Sequence, residues 1–512
     1  MTFLNGLKNA ANFTLTENGG VTHKTTKSAL LDMFAMGAAM RSRSEEDVML
    51  MFKNAFMEDP VYALKCLFYI RDVRGGQGER RFFRTVIRYM AQQPSMREAI
   101  KRNMKLVPEF GRWDDLYAFV GTPLEADAMN IFKEQLALDV QCKVPSLLAK
   151  WLKSENASSR ETTRLGNIPR RYLGMTHREY RKVLSTLRAR GNVLERLMSK
   201  GKWDEIQFDK IPSKAGMIYK NAFARHDLER MKNEKVQSYA DFAKDETTKV
   251  NASTLYPYEC VAEALKIFRT GSYYSMRELP NMNDTNRLMV NKYWDNLTDY
   301  FNGASFNGLV VADTSGSMCR DTASAPLNVA ISLALYCAEK AKGPFAGHYV
   351  SFASRPQLIA TEGVDFVDKV RRIYRTNLVD NTNIEATFDL LLNTAIANGC
   401  SQEDLPQNIL ITSDMEFDRA TSGWSGSRVN SSNAETVLEG IARKWAEHGY
   451  EMPHLIFWNV DARQNNIPML GHGRISYVSG FSPSIFETIM SGKTGYDLMM
   501  ECLDKERYAQ IQ

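Results

Sequence analysis

The sequence predicts a mostly α-helical array over residues 1–299, followed by an open, doubly wound α/β domain over residues 300–512. Three observations carry this. Between residues 28 and 290 apolar side chains recur at helical spacing without the alternation of a sheet, and beyond residue 300 short apolar runs alternate with helical stretches. The charge changes sign at the same place: residues 1–300 hold 48 Lys and Arg against 36 Asp and Glu, and residues 301–512 hold 17 against 24. The overall charge of +5 therefore conceals a basic half and an acidic half.

Ala29, Leu30, Met33 and Phe34 form one apolar stripe in the first half; Val61, Leu64, Leu67 and Phe68 form a second, and Val261, Leu265 and Phe268 a third. None is long enough for a coiled coil, so stacked helical pairs of a HEAT-like array are expected. Gly111-Arg-Trp-Asp-Asp-Leu116 is echoed by Gly201-Lys-Trp-Asp-Glu-Ile206, as in a repeat with a turn glycine, a Trp anchor and an acidic helix start. Trp113 and Trp203 are expected in the core. The glycines of Arg71-Asp-Val-Arg74-Gly-Gly-Gln-Gly78-Glu-Arg80-Arg81 lack the phosphate-loop spacing and its Lys-Ser/Thr ending, which leaves a turn between helices. Residues 151–200 hold 12 basic side chains against 4 acidic ones, with Tyr172, His177 and Tyr180 interleaved. A run like this is often only a solvated helix face. Its shortage of i,i+4 acidic partners and its interleaved rings favour contact with a nucleic acid.

The second half opens with the apolar strand Leu309-Val-Val-Ala312, then Asp313-Thr-Ser315-Gly-Ser317, then a helix carrying Leu327, Ala330, Ile331, Ala334, Leu335 and Ala338. One carboxylate and two hydroxyls thus share a single turn behind a buried strand. All-oxygen donors of this kind suit Mg2+, Mn2+ or Ca2+ better than zinc, although Ser and Asp are also ordinary helix caps. Further strands are expected at His348–Phe352, Asn408–Thr412, His454–Val460 and Ile475–Ser479. Asn408–Thr412 runs into Ser413-Asp414, which places a second carboxylate at a strand's carboxyl end, where doubly wound sheets bind ligands. Between these lie a helix with Ile384, Phe388 and Leu391, preceded by Thr382, and one with Val437, Leu438, Ile441 and Trp445. Ser491-Gly-Lys-Thr494 has the ending of a phosphate loop, but Glu487 stands where its first glycine belongs.

Composition excludes several classes. With 44% hydrophobic and 24% charged residues the chain suits a soluble protein, no apolar run approaches a membrane span, and the first residues do not resemble a secretory leader. Seven scattered cysteines form no disulfide framework or zinc pattern, so a reducing, cytoplasmic setting is expected. No GxSxG elbow or HExxH is present, Asp313 lacks the second Asp of a phosphoryl-transfer motif, and His448, His454 and His472 are not spaced as metal ligands. Binding rather than catalysis is expected.

Asp313-x-Ser315-x-Ser317, followed by a loop Thr382 and a strand-end Asp414, resembles the metal-ion-dependent adhesion site of von Willebrand factor A domains. The resemblance implies Mg2+, with Mn2+ or Ca2+ as alternatives, and a coordination position left for a partner's carboxylate. This chain has Asp380 where that family commonly has Gly, which leaves Thr376 as a competitor to Thr382. Ile70-Arg71-Asp72, Gly111-Arg112-Trp113-Asp114-Asp115 and the basic Gly174-Met-Thr-His177 segment, joined to such a domain, resemble the Ro (TROVE-domain) family. The nearest likeness is to its Ro-like subgroup, a domain of unknown function in phages, bacteria and eukaryotes. This implies a monomeric ring of helical repeats closed by the A domain, taking the end of a misfolded or small non-coding RNA in its hole and duplex on its basic surface. The RNA contacts implied are Arg170, Arg171, His177, Arg178, Arg181, Lys182, Arg188 and Arg190, although Ser185 stands where a second family histidine is expected. The alternative is a metal-dependent protein-interaction scaffold that binds no RNA.

Overall fold

The computed structural model describes residues 11–269, 276–319, 326–352, 355–376, 383–418, 436–470, 474–489 and 492–512. A short antiparallel hairpin, β1 (Phe13–Leu15) and β2 (Val21–His23), precedes the helices. Helices α1 (Ala29–Met36), α2 (Glu45–Glu58) and α3 (Pro60–Arg71) start at Ser28, Ser44 and Asp59, whose side chains each accept a first-turn backbone N–H. α4 (Arg81–Gln92) and α5 (Pro94–Asn103) continue the series, and each helix packs on its chain neighbour. The second stripe needs one correction. Leu64, Leu67 and Phe68 are buried but Val61 is exposed, because it lies in the first turn of α3 on the outer side of the pair.

Then come α6 (Glu125–Gln141), α7 (Arg160–Tyr172), α8 (His177–Arg190), α9 (Ser213–Arg225), α10 (Pro257–Phe268) and α11 (Thr285–Asp295). Both members of the internal echo open 3-10 turns after a glycine. Trp203 is buried and stacks on His226 at 4.0 Å, whereas Trp113 is only half-buried.

The second half is a six-stranded sheet in the order β5-β4-β3-β6-β7-β8. The strands are β3 (Gly308–Asp313), β4 (His348–Phe352), β5 (Leu358–Ala360), β6 (Asn408–Ser413), β7 (His454–Asn459) and β8 (Ile475–Ser479), parallel except for the edge strand β5. β3, β6, β7 and β8 are buried along almost their whole length, as parallel strands flanked by helices must be. The flanking helices are α12 (Pro326–Lys340), α13 (Phe366–Thr376), α14 (Ile384–Asn398), α15 (Val437–Glu447) and α16 (Gly495–Leu503).

Both ends of the helical series dock on this layer. α1 packs on β8 and α16, while α10 and α11 pack on α12 and α13. The two ends meet at Phe481, which lies under the Arg41 guanidinium at 3.5 Å and takes the edge of the Tyr258 ring at 5.0 Å. The Gly-rich turn between α3 and α4 is part of the same joint. Gln77 accepts the Ser482 N–H at 3.1 Å, Ser484 donates to the Gly76 carbonyl at 2.9 Å, and a side chain at position 76 would collide with the Tyr69 carbonyl. Behind it, buried Arg71 pairs with Asp115 at 2.7 Å, and Asp72 accepts from Arg507 at 2.8 Å and from the Tyr508 hydroxyl at 3.0 Å. The Arg71-Asp72 and Asp114-Asp115 phrases therefore take part in internal ion pairs, Asp114 through Arg84 at 3.0 Å. Burial disfavours ionised Asp115, yet Arg71 and Arg84 outweigh it and hold its carboxyl below the ordinary range.

Candidate functional site

β3 and β6 are neighbours in parallel register, Ala312 beside Thr412, so both run out at the same edge of the sheet. Asp313 ends β3 fully buried; its Oδ2 accepts from the Ser413 hydroxyl at 2.6 Å and its Oδ1 from the Ser315 N–H at 2.9 Å. Gly316 opens a 3-10 turn that brings the Ser315 and Ser317 hydroxyls to 3.0 Å from each other. Asp414, one residue beyond β6, is also buried and accepts from Arg463 Nη2 at 2.8 Å. Four of the five sequence-predicted metal residues, Asp313, Ser315, Ser317 and Asp414, thus gather at the carboxyl ends of two adjacent strands. Thr382 lies outside the described residues, and the Thr376 hydroxyl is turned back on the Arg372 and Ile373 carbonyls of its own helix.

The structure adds residues that sequence reasoning did not single out. Met415 adopts a left-handed φ of 64° although it is not glycine, and this kink carries Glu416 back beside Asp414. Glu416 is fully buried and accepts the Glu17 N–H of the N-terminal hairpin at 2.6 Å. Burial raises the Asp313 carboxyl well above its ordinary range and neighbouring Asp414 adds to the effect; burial likewise pushes Glu416 up to about 7. Two buried carboxyls whose ionised forms are disfavoured in this way mark a place short of positive charge. A hard divalent cation fits the donor set of Asp313, Ser315 and Ser317, all oxygen. No cluster of three His, Cys, Asp or Glu with metal-ligand geometry occurs among the described residues, so the hydroxyls are essential to this assignment.

The basic stretch divides into two groups. Arg171, Arg178, Arg181 and Lys182 are exposed on α7 and α8. Of the other residues expected to contact RNA, Arg170 and Arg188 are half-buried and His177 and Arg190 are exposed, and all four have partners within the chain, as Arg181 also does. Buried Glu155 takes His177 Nδ1 at 2.6 Å and Arg170 Nε at 3.3 Å, with Arg181 Nε 3.9 Å away. Arg188 donates to the Ala149 and Leu152 carbonyls at 2.8 and 2.9 Å, and Arg190 donates to Val140 and Cys142 at 2.9 Å, closing the end of α6. Tyr180 is buried and donates to the Lys153 carbonyl at 3.1 Å, while Tyr172 is exposed. Among the described residues no disulfide joins the cysteines and no helix is long and apolar enough to cross a membrane.

Comparison with known proteins bears on the whole chain. The uncharacterized protein L728 of Acanthamoeba polyphaga mimivirus is 29% identical over 520 residues, covering 94% of this chain and 85% of that one. The crystal structure of the Deinococcus radiodurans RO (RSR) protein covers 94% of this chain and 93% of that one, at 13% identity and a TM-score of 0.39. A likeness that loose carries no argument about either molecule. Residues 307–510 match the model of a domain of unknown function, DUF7788. Residues 16–128 and 135–304, more than half the chain, match another, and the chain belongs to that family, the domain of unknown function DUF2828.

Proposed function

We propose that this protein binds RNA through the basic face of α7 and α8 and carries a divalent-cation turn on its α/β domain. The observation that supports the RNA reading best is the set of exposed cations Arg171 on α7 and Arg178, Arg181 and Lys182 on α8, the last three at the spacing that shares one helix face. Exposed cations are available to phosphates, and each phosphate neutralised releases counterions. The resemblance of the Gly174–His177 segment to the Ro family favours structured or misfolded small RNA as the ligand. The meeting of both ends of the helical series at Phe481 is consistent with a closed ring in a single chain.

Asp313, Ser315 and Ser317 would hold the cation, with Asp414 behind them and Thr382 as a further donor, in the manner of a von Willebrand factor A domain. The bound ion would supply a fixed positive charge for a partner's carboxylate, which makes the turn a recognition device rather than a catalyst. Asp313→Ala is expected to abolish Mn2+ binding measured by calorimetry, and undiminished binding would show that the ion sits elsewhere. Charge reversal of Arg178, Arg181 and Lys182 to Glu is expected to remove most RNA affinity in a filter-binding assay while the far-ultraviolet circular dichroism stays unchanged. A scaffold that binds no RNA is the contrasting reading. It predicts that neither the parent nor the reversed variant retains RNA.

A further inference from the structure

The N-terminal hairpin is strapped across the edge of the sheet that carries the cation turn. Thr16 donates to the Phe417 carbonyl and the Asn18 amide to the Glu416 carbonyl, each at 2.6 Å, and Gly19 forms a β-bridge with Asp418. Farther along, His23 and Ile467 exchange backbone hydrogen bonds of 3.0 and 2.9 Å. Gly20 lies so close to the Phe417 carbonyl that any side chain there would collide with it. One residue connects this strap to the turn. Arg463, its side chain only 9% exposed, pairs with Asp414 at 2.8 Å through Nη2 and with Glu17 of the hairpin through Nη1. Among the described residues its Nε has no hydrogen-bond acceptor, and the Asp461 carboxylate lies 3.9 Å from it.

We infer that Arg463 is an internal cation whose hold on Asp414 opposes divalent-ion binding at the turn, so that ion binding loosens the N-terminal hairpin. The inference rests on the cation reading of the turn given above. Its logic is electrostatic. In the structure Asp414 is neutralised by the guanidinium. A divalent ion on Asp313, Ser315 and Ser317 would draw on the same carboxylate and repel Arg463, since two cations share one anion in a buried setting. Arg463 would then have to relax away from Asp414, and Glu17 with the hairpin tip would be held less firmly. Coupling of this kind is reciprocal: whatever fastens the hairpin weakens the ion, and whatever frees it strengthens the ion. The hairpin belongs to the half that carries the basic face, so the device would connect ion binding on one half with a segment of the other.

The test uses the full-length protein, Mn2+ as the probe, calorimetry for affinity and amide hydrogen exchange over residues 13–23. In the parent, Mn2+ is expected to accelerate exchange at the hairpin amides, Glu17 N–H first. Arg463→Gln is expected to bind Mn2+ about tenfold more tightly than the parent, within the usual range of such couplings, and Arg463→Lys, which keeps the charge, to stay closer to the parent. If the parent binds Mn2+ and exchange over the hairpin does not change, the coupling is wrong while the cation turn stands, a result that needs no variant to fold. Arg463→Gln binding Mn2+ no more tightly than the parent would overturn it as well. Absence of Mn2+ binding in both parent and Arg463→Gln would remove the cation turn and the coupling together.

Discussion

His454 begins β7 beside Asn408 of β6, with Nδ1 3.1 Å from the Asn408 amide oxygen and Nε2 2.8 Å from the Ser476 hydroxyl. Burial depresses its pKa to about 4, and the charge of Arg474 adds to the effect. The folded state therefore prefers the neutral ring, and the unfolded chain, near the ordinary value of about 6.5, binds the proton more readily. Stability from this residue is full above that value and is lost as pH falls towards 4, by at most about 3 kcal/mol. Urea unfolding between pH 7 and pH 5 should show this loss in the parent and a shallower dependence in His454→Gln; equal slopes would mean that the ring takes up its proton while folded. At this scale the gathering of carboxylates and hydroxyls at the ends of β3 and β6 was legible in the sequence. Asp313, Ser315, Ser317 and Asp414 are short polar residues directly following apolar strands, a local pattern. Glu416 and Arg463 were not legible, because their place depends on the left-handed kink at Met415 and on a loop beyond β7. Asp414-Met-Glu416, with a second acid two residues on, was the one available signal.

Among the elements, the buried strands were the easiest to foresee, since a strand covered on both faces is an unbroken apolar run. β5 has only three residues, two of them exposed at the sheet edge, and the β1–β2 hairpin is mostly polar, so neither carries such a run. The basic helices show the opposite difficulty. Composition located the charge, but which arginines face water depends on which carbonyls lie within reach, and Arg188 and Arg190 are taken up by helix ends. The orientation of α8 starts at Thr176, whose hydroxyl accepts the Glu179 N–H while the Glu179 carboxylate accepts the Thr176 N–H at 2.8 Å. Thr176→Ala is expected to cost about 1 kcal/mol of stability, read as a lower denaturation midpoint, and to weaken RNA binding much less than the charge reversals do. A loss of RNA affinity as large as theirs would place Thr176 itself in the contact.

For the whole molecule, the two halves share buried polar groups as well as apolar surface. Asp72, on the Gly-rich turn of the helical half, is fully buried and is held by Arg507 and Tyr508 from the chain's last turn. Arg507→Ala leaves that carboxylate without its cation, a loss expected to cost about 3 kcal/mol. Chemical denaturation followed by tryptophan fluorescence and by circular dichroism should then show the two signals separating, as one half loosens before the other. Coincident and unshifted transitions would mean that the joint is held by its apolar contacts alone. The mostly helical first part and the parallel sheet that follows it could be read from periodicity. The clasp between them could not, because its partners are more than 400 residues apart in sequence.

The central claim is that exposed cations on α7 and α8 contact phosphate, and the salt dependence of RNA binding tests it most directly. For duplex RNA the logarithm of the association constant should fall linearly with the logarithm of salt concentration, by roughly 0.9 per phosphate contact. Replacing Arg178, Arg181 and Lys182 by Gln should therefore make the slope shallower by about 2.7 and weaken binding at low salt. A folded variant that keeps both the affinity and the slope of the parent would contradict the account.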